Sequence, residues 1–440
     1  MFPERTPATV EAAYALARDQ YAKLGVNTEE ALECLAKVQI ALHCWQGDDV
    51  RGLETTEGPV TGGGILATGA HPGAARTGDE LRRDAAKAMA LIPGKLRFNL
   101  HAIYAETGTA KVGRDELKPE HFATWIDWAK RQGCALDFNP SYFAHPLASS
   151  GFTLSSADDQ VRQFWIRHGI ACRRIAEAMG RAQGSPCVLN HWIPDGAKDS
   201  PIDRWAPRRR LAAAYDAILA EPISPAHCLD CVEGKLFGIG SEDFVVGSHE
   251  FYLAYLGSRP GKARLCLDMG HYHPTETIHD KISALLTFQE ELLLHVSRGV
   301  RWDSDHVVLL SDDLLALARE VVRGDALGRI HLALDFFDAS INRIGAWVIG
   351  ARATQKALLA ALLEPSAHLR TLELQGQGAA KLAVLEELKT LPLGAVWDSH
   401  CQRADVPVGP AWINAMQDYE AAVLLPRAAG CPGGCGGACG

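Results

Sequence analysis

The sequence lacks an uncharged apolar run approaching the roughly 20 residues that are needed to cross a bilayer. It also lacks an excess of positive charge, since its formal net charge is −9, whereas proteins that follow nucleic-acid phosphates present a basic surface. Its first twenty residues contain no apolar core of a secretion signal. These absences predict a cytoplasmic protein that has no membrane or nucleic-acid partner.

Two nucleotide-binding patterns are also missing. The glycine-rich stretch at 61–69 is not followed by the Gly-Lys-Ser/Thr of a phosphate-binding loop, and no strand–GxGxxG–helix fingerprint is evident. We interpret the long segment 47–78 instead as an active-site or subunit-contact loop. The twelve cysteines, in a long chain without a secretion signal, predict reduced thiols. Cys228 and Cys231 have C-x-x-C spacing, but they fall inside a predicted strand and no second such pair follows, so we interpret them as buried thiols.

What the sequence does contain is a regular alternation of short apolar runs and amphipathic segments. The predicted strands span 38–45, 96–104, 135–140, 186–194, 226–235, 264–271, 291–298 and 329–338. Strict alternation of strand and helix implies a parallel sheet with right-handed crossovers. Eight such units are the number that closes a (β/α)₈ TIM barrel, and a doubly wound open sheet is the alternative.

The domain organisation follows from this count. We predict an N-terminal helical extension over 1–37, a catalytic barrel over 38–364, a C-terminal helical extension over 365–428 and a disordered Gly/Cys-rich tail over 429–440. Within the C-terminal extension the sequence predicts two helices, at about 381–389 and 410–424. We expect them to pack outside the barrel or on a neighbouring subunit.

A polar side chain stands at or near the C-terminal end of each predicted strand, where barrels of this kind keep their chemistry. In chain order these residues are His43, His101, Asn139, Asn190, Glu233, Asp268, His295 and Asp335. An open sheet does not predict a polar residue at every strand end. Carboxylates and imidazoles are costly to bury alone, and a shared divalent cation would remove most of that cost.

Seven of the acidic and histidine side chains in this region divide into two predicted metal sets. The first set is Glu233, Asp268, His295 and Asp335, and the second is His271, Asp303 and Asp305. Oxygen-rich ligands with one imidazole each suit Mn²⁺, Mg²⁺, Co²⁺ or Zn²⁺. We expect the second ion to keep open positions for water or substrate, as catalytic ions do. The alternative for any one residue is an exposed, salt-bridged loop position.

Several sequence blocks together carry a resemblance to a known family. They are HCWQGDDV at 43–50, FNLHAIY at 98–104, WIPDG at 192–196, LDMGHYHPTE at 267–276, HVSRGVRWDSDHVVLL at 295–310 and LDFFDASINRIGAWVIG at 334–350. On these blocks the chain resembles the L-rhamnose isomerase family from about residue 10 to beyond residue 402. The cysteine-rich tail departs from the family pattern.

The resemblance implies a homotetrameric barrel that interconverts the aldose L-rhamnose and the ketose L-rhamnulose in L-rhamnose catabolism. It implies two divalent ions per subunit, typically Mn²⁺, with Zn²⁺, Co²⁺ or Mg²⁺ as substitutes. The family's catalytic-ion ligands fall on His271, Asp303 and Asp305, and its structural-ion ligands fall on the other set of four. Lys235 matches a family active-site position, and we predict catalytic roles for Lys235, Asp335 and His271.

Five residues at the barrel mouth are predicted to bind the sugar: Trp45, His101, Phe143, Trp192 and Lys235. Lys235 lies two residues past Glu233, so both side chains face the same way on an extended chain. Aromatic faces suit the C–H surfaces of a sugar, although core packing explains the three aromatic residues equally well.

Two questions about chemistry stay open at the level of sequence. A hydride shift between C1 and C2 assisted by metal competes with proton transfer through an enediol. Other classes of protein are also considered. A metal-dependent epimerase or phosphodiester nuclease could share the barrel, although a nuclease should have a basic face. A non-catalytic sugar-binding barrel should lack at least one ligand.

Overall fold

The structure is a computed structural model that describes residues 1–54, 69–236, 243–273, 275–300 and 306–429. Asp303, Asp305, much of the 47–78 loop and almost all of the tail lie outside these residues. Eight parallel strands close a barrel, with β1 paired to both β2 and β8. The strands are β1 Gln39–His43, β2 Lys95–His101, β3 Ala135–Asn139, β4 Cys187–His191, β5 Cys228–Glu233, β6 Arg264–Asp268, β7 Leu292–Val296 and β8 Ile330–Leu334. The prediction of a (β/α)₈ barrel is confirmed.

Helices α1 (Pro7–Ala22) and α2 (Thr28–Leu35) precede the barrel, and one helix follows each strand. The outer helices are α3 Gly78–Met89, α4 Ala123–Gln132, α5 Asp159–Gln183, α6 Trp205–Leu219, α7 His249–Ser258, α8 His279–Leu286, α9 Asp312–Arg323 and α10 Arg343–Leu362. Within the described ranges, no helix combines the length and the apolar character that crossing a membrane requires.

The helix boundaries follow from ordinary capping chemistry. The side chain of Thr77 accepts a hydrogen bond from the backbone N–H of Glu80 at the start of α3. Asp158 accepts hydrogen bonds from two backbone N–H groups at the start of α5, and this helix ends at Gly184 with φ 68°. Side-chain oxygens at the N-cap satisfy N–H groups that the first helical turn leaves without partners, and glycine adopts positive φ without steric cost.

Two kinds of packing fill the interior of the barrel. A layer of small and apolar side chains forms its own buried cluster, which consists of Ala41, Val188, Leu229, Cys231, Cys266, Leu293 and Ala333. Toward the N-terminal ends of β2 and β3, Arg97 and Asp137 form a buried ion pair with N–O distances of 2.7 and 2.8 Å. Arg97 also donates to the carbonyl of Pro186, just before β4. The interior is therefore packed below the level of the strand ends.

The C-terminal extension contains more helices than the two predicted from the sequence. The helices are α11 Ser366–Leu374, α12 Gly378–Leu388, α13 Leu393–Arg403, α14 Trp412–Tyr419 and α15 Leu425–Ala429. The predicted number is therefore wrong. Helices α11 and α13 begin directly after Pro365 and Pro392, where proline is compatible with a helix start. Helix α13 packs against α1, so a partner distant in sequence determines which of its faces is buried.

Candidate active site

Four side chains from adjacent strands meet at the C-terminal mouth of the barrel. Glu233 ends β5, Asp268 ends β6, His295 lies on β7 and Asp335 directly follows β8. One ligand atom from each lies within 4.8 Å of all the others. His295 Nδ1 lies 3.4 Å from Glu233 Oε2, 3.4 Å from Asp268 Oδ2 and 2.9 Å from Asp335 Oδ2. The structure thus brings together the whole set that was predicted to share one ion.

Several buried atoms of this cluster have no hydrogen-bond partner among the residues that the structure describes. They are Nδ1 and Nε2 of His295, Oδ2 of Asp268 and Oδ1 of Asp335. The carboxylate oxygens that lie within 3.4 Å of His295 Nδ1 are not in line for a hydrogen bond with it. Buried polar atoms are rarely left in this state, and three neighbouring carboxylates repel one another. A divalent cation fits both features, because three carboxylates and one imidazole form an oxygen-rich donor set.

The charges in the cluster already favour an ionised carboxylate at Glu233. Burial alone would raise the pKa of Glu233, but the positive charges of His295 and His271 outweigh burial and hold this pKa well below its usual range. Carboxylates must be deprotonated to bind a metal. Glu233 is therefore ionised, as a carboxylate that binds a metal has to be.

Neighbouring groups orient the ligands. Asp268 Oδ1 accepts from Ser297 Oγ at 3.0 Å and from the backbone N–H of Gly270 at 2.6 Å, which leaves Oδ2 facing His295. The side-chain amide of Asn190 donates to Glu233 Oε2. Sequence reasoning noted Asn190 only as a strand-end residue and missed Ser297. The available signal was spacing, because Ser297 lies two residues past His295.

Of the second predicted metal set, His271 is the member that lies within the described residues. Its Nδ1 lies 2.9 Å from Glu233 Oε1 and 3.3 Å from the carbonyl of Gly234, and its own carbonyl lies 2.8 Å from His249 Nε2. His271 therefore borders the first set of ligands. The other two members of this set, Asp303 and Asp305, lie outside the described residues.

A cavity opens directly above the ligand cluster. It is lined by Trp45, His101, Asn139, Asn190, Trp192, Glu233, Lys235, His271, His295, Asp335 and Phe337. Lys235 Nζ lies 4.8 Å from the centre of the Trp192 ring. The sequence analysis did not predict that Phe337 lines this cavity. It also did not single out Phe336, whose ring centre lies 4.3 Å from that of His43.

The rings of Trp45, His101 and Trp192 form an aromatic wall on one side of this cavity. Ring centres lie 5.0 Å apart for Trp45 and His101, 5.3 Å for His101 and Phe143, and 5.8 Å for Phe143 and Trp192. Phe143 lies behind the wall, since it contacts two lining rings and is itself 2% exposed. Burial, aided by the charge of Arg114, lowers the pKa of His101 to about 3, so this imidazole is neutral near pH 7.

Comparison with known proteins identifies the family of the chain. The family model for L-rhamnose isomerase (RhaA) matches residues 8–427. An L-rhamnose isomerase of Rhodopirellula baltica is 58% identical over 418 residues, which cover 95% of this chain and 97% of the relative. An L-rhamnose isomerase of Escherichia coli O17:K52:H18 is 56% identical, with 95% and 99% covered.

Among solved structures, a D-allulose 3-epimerase from Methylomonas sp. is similar with a TM-score of 0.43 and 13% identity, covering 74% of this chain and 96% of that one. The assignment to a family rests on the family model and on the curated relatives, both of which extend over nearly the whole chain. The chain therefore belongs to the L-rhamnose isomerase family of intramolecular oxidoreductases.

Proposed function

We propose that this protein interconverts L-rhamnose and L-rhamnulose and that it depends on a divalent cation bound by Glu233, Asp268, His295 and Asp335. The observation that carries the metal dependence is the convergence of buried ligand atoms without hydrogen-bond partners at the mouth of the barrel. The substrate is argued from the names of relatives that are 56–58% identical.

When bound, the divalent cation supplies Lewis-acid polarisation of the sugar oxygens. The protein's own groups bind and orient the open-chain sugar. Lys235, beside Trp192, donates to a sugar oxygen and stabilises negative charge that develops there. His101 is neutral, so it exchanges hydrogen bonds with a hydroxyl group without adding charge. The rings of Trp45 and Trp192 exclude water and cover the apolar face of the sugar.

The Nε1 atoms of Trp45 and Trp192 are buried and have no acceptor within the described ranges. Both residues line the cavity. Buried indole N–H groups normally find a partner, and hydroxyl groups of a bound sugar would supply one. The cavity thus combines apolar surface with a few unused donors, as sites for small polar ligands do.

We propose a 1,2-hydride shift between C1 and C2, with Lys235, His271 and Asp335 as the catalytic residues and the proton passing between O2 and O1. The test is conversion of L-rhamnose in D₂O followed by NMR of the ketose. A hydride shift leaves C1 without deuterium, whereas an enediol route incorporates deuterium from solvent at that carbon.

Manganese is the cation that we propose for the site, with Zn²⁺, Co²⁺ or Mg²⁺ as substitutes. We propose that a second ion is held by His271, Asp303 and Asp305. Asp303→Asn should then abolish turnover and leave the far-ultraviolet circular dichroism unchanged. Unchanged turnover would remove Asp303 from the site. We also place the enzyme in the cytoplasm as a homotetramer.

The decisive assay measures ketose formation from L-rhamnose by metal-stripped protein, with and without Mn²⁺. We expect product only with metal, and little product from Asp335→Asn under either condition. The matched control is Asp338→Asn, because the Asp338 carboxylate accepts a hydrogen bond from Ser340 and does not belong to the ligand set. Full activity without metal would contradict the proposed metal dependence, and no product with metal would contradict the proposed substrate.

A further inference from the structure

A thiol lies next to two of the four clustered ligands. One ligand atom each from Glu233, Cys266 and His295 lies within 4.8 Å of the other two. The strand register explains this proximity, because Glu233 pairs with Cys266 and Asp268 pairs with His295 across neighbouring strands. Cys266 precedes Asp268 by two residues, so both side chains point into the barrel, one layer apart. Cys266 is 1% exposed.

The two sets of ligands differ in chemical softness. Both contain Glu233 and His295. The upper set adds the carboxylates of Asp268 and Asp335, which suit hard or borderline cations, whereas the lower set adds a sulfur atom, which favours soft cations. Mixed sulfur, nitrogen and oxygen donors with an open position are a known coordination environment for Zn²⁺.

We infer that Glu233, Cys266 and His295 form a second, overlapping coordination set, which binds a thiophilic divalent cation such as Cd²⁺ one layer deeper in the barrel. The inference rests on the proposed metal site, because two ligands are shared. The cation replaces the thiol proton, which passes to solvent. Both sets cannot be filled at once, so a thiophilic cation displaces the ion above it and inhibits the enzyme.

The other cysteines determine how this site must be tested. Cys431, Cys435 and Cys439 in the tail could bind soft metals themselves, so all variants are made in a full-length background in which these three residues are serine. Cys187 supplies the matched control. It is fully buried like Cys266, but it neighbours Val188 of the interior layer and therefore faces the outer side of β4.

The experiment titrates metal-stripped protein with Cd²⁺ and follows the ultraviolet charge-transfer absorption of a cadmium–thiolate bond. We expect a band that Cys266→Ser abolishes and Cys187→Ser retains. The Cd²⁺ affinity of Cys266→Ser should fall by more than roughly 10- to 100-fold, which is the loss expected when only a hydrogen-bond partner of a metal ligand is removed. In a second titration, Cd²⁺ should release Mn²⁺ from the parent protein, as followed by the EPR signal of free Mn²⁺.

The outcomes separate this inference from the proposed function. If Cys266→Ser keeps the band and the Cd²⁺ affinity, the inference is wrong, whereas Mn²⁺-dependent activity still supports the site above. If the parent protein binds neither cation, both proposals fail. Cys266→Ala is measured alongside, because it removes the ligand without adding a buried hydroxyl. Retention of the band in either folded variant overturns the inference.

Discussion

Ser297 determines how Asp268 faces the other ligands. Its hydroxyl is buried and donates to Asp268 Oδ1 at 3.0 Å, and the backbone N–H of Gly270 donates to the same oxygen. Oδ2 is thereby directed toward His295 at 3.4 Å. Groups that hydrogen-bond to metal ligands fix their orientation and increase metal affinity. We therefore infer that Ser297 positions Asp268 for the proposed metal site.

We expect Ser297→Ala to weaken Mn²⁺ binding by about 10- to 100-fold, because the carboxylate of Asp268 loses one of its two fixed contacts. Calorimetric titration of metal-stripped protein measures this change. Ser155→Ala is the control, since Ser155 Oγ donates to the buried Asp195 at 2.6 Å outside the ligand cluster. An equal loss of affinity in both variants, or none in Ser297→Ala, would refute this role.

At the scale of elements, Arg114 connects the loops that follow β1 and β3. Its guanidinium donates to both carboxylate oxygens of Glu54 at 2.8–3.2 Å and to the carbonyls of Ser141, Phe143 and Ala144 at 2.6–2.9 Å. Ala144 has a φ of 51°, which is uncommon for a residue other than glycine. Arg114 thus holds a strained turn directly behind Phe143 and the aromatic wall.

Arg114→Ala should lower the free energy of unfolding by about 3 kcal/mol, because it leaves buried carbonyl groups and a partly buried carboxylate without their partner. Urea denaturation measures this loss, and the KM for the sugar should rise because Phe143 loses its support. Arg174→Ala serves as comparison. Its ion pair with Glu221 is at the surface, so we expect a loss of at most about 1 kcal/mol. Similar losses in both variants would contradict this account.

The N- and C-terminal extensions are joined by an ion pair at Glu29. Arg403 of α13 and the hydroxyl of Tyr14 donate to the Glu29 carboxylate at 2.6–2.9 Å. These contacts lower the pKa of Glu29 from 4.5 to about 2, and the hydrogen bond from Arg403 has the larger effect. A carboxyl group whose folded pKa is lowered stabilises the protein above its unfolded pKa, and this contribution is lost as the pH falls toward the folded pKa.

Glu29→Gln should therefore destabilise the protein at pH 7 by at most about 1 kcal/mol, because the pair is solvent-exposed. The difference from the parent should vanish as the pH falls from 4.5 to about 2. Urea titrations across this range measure it, with Glu33→Gln on the exposed side of the same helix as the control for charge. A difference that grows on acidification would contradict the assignment.

The order of strands and helices could be predicted because the spacing of apolar residues and the capping residues are local properties of the sequence. The sequence also predicted that Glu233, Asp268, His295 and Asp335 meet, because parallel strands in a barrel place their C-terminal ends at one mouth. It did not predict Ser297 as a partner of Asp268, or the helices α11, α13 and α15. A hydroxyl group has many alternative partners, and the buried side of α13 depends on α1, almost 400 residues earlier.

For the whole molecule, the four clustered ligands come from the consecutive strands β5 to β8. A cation bound at the proposed site would connect half of the barrel and would bind only the folded chain. An ion that binds only the folded state stabilises the fold by about 2.7 kcal/mol when its concentration is 100-fold above its Kd. We expect Mn²⁺ to raise Tm in differential scanning calorimetry, EDTA to reverse this, and Asp335→Asn to show a much smaller shift. An equal shift in that variant would place the stabilising ion elsewhere.

The assembly is tested by light scattering on the purified protein. We expect a mass of about four times the 47.6 kDa of one chain, as the family resemblance implies. A mass near that of one chain would contradict the predicted homotetramer.

The buried ion pair of Arg97 and Asp137 and the layer of small side chains inside the barrel limit how molecules can enter and leave the site. Since the barrel is packed below the ligands, cation, sugar and product all exchange at the mouth. In the proposed complex the ion would occupy the floor and the sugar would lie above it. Under the proposed arrangement, a bound sugar would shield the ion from chelators, and the metal would have to bind before the substrate.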